Sequence, residues 1–382
     1  MRTRRYLTYT HRCTSWASSR TLNCAPSAAF GASVRSSCSE RDRPGVLRAR
    51  PHRVPRVKSR MCIKFRHVRT NSMLCHDMGY TIVSTLHINS TRTVQLCDDE
   101  SGKKVVVKRY TVARLTERDR RCVEREREIL MSLWHPNIVR GIGAFWTATT
   151  VCLVQEFGAK GDLFSIAGKF PKRQIPEGVV LRNILVPITS AVAFLHSKGI
   201  MHRDIKPENV VVMADGRAKL CDFGLAIDTT KETPVTCVGT LSYMAPEILC
   251  NNPCACSYTD RVDIWALGCL AFEMVTGEPP FVPVGDATAS SMKLAIICGM
   301  KQMNGIRLST QECISYIRSA LTIDQRIRPS ARDLLESLPQ RVRPEAQTAT
   351  SCPSAGWAKS RRKEWGIPTK NIKTPPRRHR TV

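Results

Sequence analysis

From residue 80 onward the hydrophobic positions recur with two different periods. Short runs rich in β-branched residues occupy 80–86, 93–97 and 104–108, separated by polar turns that include Ser101-Gly102, and predict an antiparallel β region. The charged stretch 114–133 follows, with Val123, Glu126, Ile129, Leu130 and Leu133 at intervals of three and four, the spacing of an amphipathic helix. Glu126 falls on its apolar side, whereas Glu124 and Glu128 point elsewhere. His135-Pro136 stops the helix, and 151–157 reads as a buried strand running into a linker at Gly158. Leu181, Ile184, Leu185, Ile188, Val192 and Leu195 mark one face of a long helix ending near Gly199, with a kink expected at Pro187. A strongly apolar helix is expected from Asp263 through Val275.

Between the two helices lies the stretch with the most chemistry. Val210-Val211-Val212-Met213 and the apolar positions after Arg217 flank Asp215-Gly216, a pair suited to a tight hairpin turn. The midpoint of 209 and 222 falls between those two residues, so Asn209 and Asp222 are expected to face each other. An amide oxygen and a carboxylate side by side suit a hard cation such as Mg2+, which shares its shell with phosphates. Asp204 lies just upstream, and Pro207 disfavours helix at Lys206, so this segment is expected to be a loop that can reach a substrate. The chemistry suggested is metal-assisted phosphoryl transfer.

His202-Arg203-Asp204-Ile205-Lys206-Pro207-Glu208-Asn209 and Asp222-Phe223-Gly224 resemble the catalytic loop and metal-binding triplet of the eukaryotic protein kinases, at that family's spacing. The resemblance covers about residues 80–340. It implies an α+β fold, a bilobal domain over 76–340, with a small β-rich lobe carrying one key helix at 76–157 and a larger, mainly helical lobe at 158–340. It further implies ATP and Mg2+ as cofactors, Asp204 and Lys206 as catalytic residues, and Lys108 held by Glu126 as the pair that positions the phosphates. Asn209 and Asp222 become the metal ligands. Val94, Val106 and Val211 would enclose adenine, the backbone of Glu156 and Gly158 would bind its edge, Gln155 would guard the pocket behind it, and Asp162 would contact ribose or a basic substrate residue. Gly239-Thr240-Leu241-Ser242-Tyr243-Met244-Ala245-Pro246-Glu247 resembles the end of an activation segment, with Thr236 as the phosphosite candidate, Arg203 as the partner of its phosphate, and Thr240 against Asp204 and Lys206. Asp263 would hold the catalytic-loop backbone, and Arg328 would pair with Glu247. Asp204-Ile205-Lys206-Pro207 and Gly239-Thr240 favour serine/threonine acceptors, within an Aurora-like or calmodulin-dependent-like branch.

One departure is large. The loop that should cover the phosphates reads Leu86-His87-Ile88-Asn89-Ser90-Thr91-Arg92-Thr93-Val94, with His87, Asn89 and Arg92 where the family places glycines. Gly141 also stands where most relatives place a larger apolar residue. These two features support an alternative, a pseudokinase acting as a binding module.

Charge changes the picture at the ends. Of a net +27, the first 75 residues contribute seventeen Lys and Arg against Glu40 and Asp42, and 341–382 contribute eleven against Glu345 and Glu364. The middle is close to neutral. The first 75 residues are expected to be a disordered basic extension or an organelle transit peptide, and 341–382 a disordered basic tail. Such tails can contact acidic proteins or nucleic acid, which makes a nucleic-acid-binding protein a third reading. The seventeen cysteines are scattered through a long chain with a sizeable core and no apolar signal-peptide core, so reduced thiols and an intracellular setting, cytoplasm or nucleus, are expected. Cys250, Cys254 and Cys256 cluster at a spacing that is not a standard zinc pattern. No apolar run approaches 18 residues, so no transmembrane segment is expected, and the chain should act as a monomer on a protein substrate.

Overall fold

The computed structural model describes residues 79–249, 257–283, 285–299, 310–339 and Trp365, with the backbone of a short strand at Thr8–Thr10. Expectations for most of 1–75 and 341–382, and for the cysteines at 250, 254 and 256, lie outside the described residues. The chain divides into two compact units; all described residues belong to one of them, and the other, Arg12–Arg66, lies outside the description.

The small lobe is a five-stranded antiparallel sheet: β1 (Thr81–Ile88), β2 (Arg92–Asp98), β3 (Lys104–Thr111), β4 (Gly141–Trp146) and β5 (Thr150–Glu156), in the order β1-β2-β3-β5-β4. Register explains its two faces. Val94 pairs with Lys108, Lys108 with Leu153, and Val106 with Gln155, and the pleat repeats every two residues. Arg92, Val94, Val106, Lys108 and Tyr110 therefore share one face. The opposite face buries Cys97, Val105, Val107, Cys152 and Val154 in a small core of its own. Helix α1 (Glu117–Ser132) packs on the Lys108 side, where Val123 joins Tyr110, Leu115, Val151 and Leu153. Its start is set by a capping box: Thr116 accepts from the Asp119 amide at 3.1 Å, and Asp119 accepts from the Thr116 amide at 3.0 Å.

The large lobe is built on α2 (Glu177–Ser197) and α3 (Arg261–Thr276). The irregularity expected at Pro187 takes a definite form: 180–185 is wound as a π-helix and ordinary α geometry resumes at Val186, with Pro187 in its first turn. By length and composition α2 is as apolar as a membrane span, as buried core helices can be, a match the sequence reading did not foresee. Its apolar side chains line the core instead: Val180, Ile184, Leu185, Ile188, Ala191, Val192 and Leu195 are completely buried. Helix α3 is buried all round from Val262 to Met274, as a central helix must be. Trp265, fully buried, stacks on Phe281.

The hairpin corrects the expected register. Strands β6 (Val210–Val212) and β7 (Ala218–Leu220) pair Val210 with Leu220 and Val212 with Ala218, so the turn is centred on Asp215 and spans Ala214-Asp215-Gly216. Gly216, at φ 89°, takes the left-handed position that closes a three-residue turn. Asn209 therefore lies opposite Cys221, whose amide donates to its carbonyl at 2.9 Å, and Asp222 is the next residue along.

Tail residue Trp365 is buried in the large-lobe core and its Nε1 donates to the Gly216 carbonyl at 3.1 Å. The solvated tail expected for 341–382 does not hold at this position.

Candidate active site

Lys108 enters the space between the lobes from β3. It is 4% exposed, and its ammonium is 2.6 Å from Glu126 Oε1 on α1 and 2.7 Å from Asp222 Oδ1. Burial alone would drive the ammonium toward neutrality, but Asp222 and Glu126 outweigh it and raise its pKa. Asp222 is the mirror case: burial works against its charge, and Lys108 with Arg92 holds the carboxyl well below the usual range. The second oxygen of Glu126 accepts a hydrogen bond from the Tyr110 hydroxyl at 2.6 Å. Period two makes Tyr110 legible in hindsight, because it follows Lys108 by two residues on the same strand.

The loop at 202–209 is held from below. Buried Asp263 on α3 accepts from the amides of His202 at 2.9 Å and Arg203 at 2.8 Å, and is hydrogen-bonded to His196 at 2.9 Å. These contacts support a strained backbone, since Arg203 and Asp222 both sit at φ 65° without being glycine. His202 is fully buried, with Phe223 edge-on at 5.2 Å and the Cys221 carbonyl 3.1 Å from its Nε2. That anchoring sets Asp204 in place. Its Oδ1 accepts from the Thr240 hydroxyl at 2.7 Å, and its Oδ2 is 2.8 Å from Lys206 Nζ and 2.9 Å from Asn209 Nδ2. Lys206 also donates to Thr240 at 2.8 Å. Thr240 thus lies against Asp204 and Lys206, as expected.

Asn209 spends its amide hydrogens on Asp204, at 2.7 Å to the carbonyl and 2.9 Å to the carboxylate, which turns its oxygen away as an acceptor. The Asn209 amide oxygen and the Asp222 carboxylate are both oxygen donors, the type a magnesium ion takes. Among the described residues there is no cluster of three or more His, Cys, Asp or Glu arranged to hold a metal.

Gly158 and Val211 pack closely where the two lobes join. Gly158 is buried so close to Val211 that an added Cβ would come within 2.6 Å of the valine Cβ. Val94 and Val106 lie on the Lys108 face of the sheet. Glu156 is steadied by Lys219 at 2.6 Å, and its amide donates to the Arg140 carbonyl at 3.1 Å. Asp162 does something sequence reasoning did not foresee: it caps the short helix Leu163–Ala167, accepting from the Ser165 amide at 2.7 Å. Gly141 is likewise accounted for, since Met131 and Leu130 occupy the space a side chain would need.

Arg203 reaches the stretch after Gly224, donating from Nε to the Leu225 carbonyl at 2.7 Å, and from Nη1 to the Tyr258 hydroxyl at 2.9 Å. Tyr258 in turn donates to the Thr236 carbonyl at 2.8 Å. Arg328, 2% exposed, holds Glu247 through two hydrogen bonds, at 2.7 and 3.1 Å.

A β-rich small lobe on a helical large lobe, with a lysine and two aspartates in one cleft, defines the protein-kinase class. Residues 89–338 match the family described as protein kinase domain, about two thirds of the sequence, and the chain belongs to that family. It is 35% identical over 226 residues to mouse serine/threonine-protein kinase 36, covering 58% of this chain and 16% of that one. It is 32% identical over 252 residues to mouse serine/threonine-protein kinase Nek1, covering 64% and 20%. Similarity to an Aurora/IPL1-related protein kinase 2 of Caenorhabditis briggsae is 35% over 159 residues, covering 42% and 50%. The chain thus spans half or less of the length of these relatives, two of which are named as serine/threonine kinases.

Proposed function

We propose that the chain is an active serine/threonine protein kinase, moving the terminal phosphate of ATP to Ser and Thr hydroxyls of a protein substrate. The observation that carries this reading is buried Lys108, ion-paired at 2.6 Å with Glu126 and at 2.7 Å with Asp222. Val94, Val106 and Val211 enclose adenine, and the backbone of Glu156 and Gly158 pairs with its edge. Asp162 reaches the ribose or a basic substrate residue from the start of its helix. Lys108, held by Glu126, fixes the phosphates. Magnesium, held by Asp222 and Asn209, neutralises phosphate charge when bound. Asp204 orients the acceptor hydroxyl and takes its proton as the oxygen bonds to phosphorus and the bond to the ADP oxygen breaks. Lys206, on Asp204 and Thr240, offsets charge developing on the transferring group.

A second reading, a nucleotide-impaired binding module, is favoured by the phosphate loop. Asn89 Oδ1 takes hydrogen bonds from the amides of Thr91 and Arg92, donors that glycine-loop relatives leave for phosphate. Transfer of labelled phosphate from ATP to a Ser/Thr peptide by the full chain separates the two. Asp204→Asn should lower the rate by about a hundredfold or more, and Asp222→Ala should abolish it. A folded wild-type protein that binds ATP weakly or not at all and transfers nothing would establish the second reading.

A further inference from the structure

The tip of the phosphate loop is closed on itself. Asn89 Oδ1 accepts from the Thr91 amide at 3.0 Å and the Arg92 amide at 2.7 Å, the Asn89 amide donates to the Arg92 carbonyl at 2.9 Å, and Arg114 donates to the Ser90 carbonyl at 3.1 Å. Backbone amides engaged in this way have no hydrogen left for a phosphate oxygen. The same loop puts a cation into the cleft. Arg92 begins β2 two residues before Val94, so the pleat turns its side chain to the Lys108 face. Its Nη1 stands 3.7 Å from Asp222 Oδ2, and its buried Nε has no hydrogen-bond partner. The cavity it lines, about 260 Å³, is also bounded by Glu126, Asp204, Lys206 and Asp222.

We propose that Arg92 is a phosphate-binding residue of the nucleotide site: its guanidinium takes over the anion contact that the loop backbone does not make, and rests against Asp222 when no phosphate is present. This deepens the kinase reading and rests on the cleft being a nucleotide site. Three features favour a ligand role over a simple surface ion pair. The Nε donor is buried and unsatisfied, a state that costs stability unless a ligand supplies the acceptor. The distance of 3.7 Å to Asp222 is longer than a good charge-assisted hydrogen bond, so the pair is loosely made. And Asp222 already has Lys108 on its other oxygen, so release of Arg92 does not leave that carboxylate unpaired. A guanidinium offers several N–H donors in a fixed fork that matches phosphate oxygens, which a lysine does not. Because this cation belongs to the chain, part of the phosphate affinity should survive without a divalent metal.

Calorimetric titration of the full-length chain with adenosine, ADP and ATP, each in EDTA and in Mg2+, tests this without reference to catalysis. In EDTA the wild type should bind ADP about tenfold more tightly than adenosine. Arg92→Gln should shrink that difference severalfold, to the share that Lys108 supplies, while leaving adenosine affinity unchanged, and Arg92→Lys should restore only part of the loss. Thermal unfolding of each variant establishes that the loop change leaves the domain folded. Should Arg92→Gln bind ADP as well as or better than the wild type, Arg92 is a plug over Asp222 and the proposal is wrong. If the wild type binds adenosine but shows no preference for ADP, the proposal fails while the nucleotide site stands. A wild type that binds none of the three, even with Mg2+, overturns the nucleotide reading and this inference with it.

Discussion

Gly158 illustrates how a single missing side chain shapes the cleft. Its backbone lies against Val211, and a methyl group there would sit 2.6 Å from the valine Cβ, closer than side-chain carbons approach one another. Gly158→Ala should therefore push the 156–158 segment away from the floor of the pocket and weaken ATP binding by about tenfold, given about 1–3 kcal/mol for overpacking. Val211→Ala in the same chain should recover most of the loss. A titration showing no recovery in the double variant would mean that the glycine matters for another reason. His135 gives the pH counterpart. Burial, helped by the nearby charge of Lys219, pushes its imidazole down from 6.5 to about 4. It accepts from the Asn137 amide at 3.1 Å and stacks on Phe194 at 5.0 Å. The folded state resists protonating this ring and the unfolded chain does not, so the stability it contributes is complete above pH 6.5. That stability is lost progressively as pH falls toward 4, by about 2 kcal/mol at pH 4.5. Denaturant unfolding from pH 7 to 4.5 should be less steeply pH-dependent in His135→Gln than in the wild type.

At the level of elements, the strands, helices and loop around the site each carry a residue whose placement needs a partner elsewhere. Helix α1 was legible from its period, and Glu126 was correctly put on its apolar side; the Thr116 capping box that sets its start was not read. That Glu126 would also hold Tyr110 was visible only once β3 and α1 were packed together. The hairpin was legible as a hairpin, but its register was read one residue off, because Asp-Gly suggests a two-residue turn whereas a left-handed Gly216 after Ala214-Asp215 makes three. The activation segment depends on α3 and on the residues before it. Arg203 reaches the backbone of Thr236 through the Tyr258 hydroxyl, at 2.9 and 2.8 Å, so a phosphate on Thr236 would find a guanidinium already close. Incubation with ATP and Mg2+ followed by peptide mass spectrometry should find phosphate on Thr236, with activity rising severalfold as it accumulates. Arg203→Met should cancel the rise, whereas activation that persists in that variant would point to another phosphate partner.

On the scale of the whole molecule, the near-neutral middle folds as the two-lobed domain and the charge sits in the flanking stretches. Trp365 alters that division. It lies 3% exposed in the large-lobe core, hydrogen-bonded to the turn of the β6–β7 hairpin, so part of the C-terminal stretch belongs to the folded domain. Trp365→Ala should lower the unfolding free energy by about 3 kcal/mol, the usual cost of removing a buried aromatic. Chemical denaturation would read this directly, and an unchanged midpoint would mean that the indole is dispensable. The contacts expected of the basic stretches are a separate matter. Binding to nucleic acid that weakens steeply with salt and vanishes on deleting 1–75 and 341–382 would assign them that role.

By itself the sequence determined which residue types stand at fixed spacing: the period-two strands, the period-three-and-four helices, and the motif that carries Asp204, Lys206, Asn209 and Asp222. Local periodicity and turn chemistry act over a few residues and need no knowledge of the fold. Tertiary structure alone decided which distant groups meet. Lys108 joins Glu126 and Asp222 across intervals of 18 and 114 residues, Arg92 turns onto Asp222, and Trp365 closes on Gly216 from 149 residues away. Such contacts arise from burying apolar faces of separate elements against one another, and a linear pattern holds no record of which faces those will be.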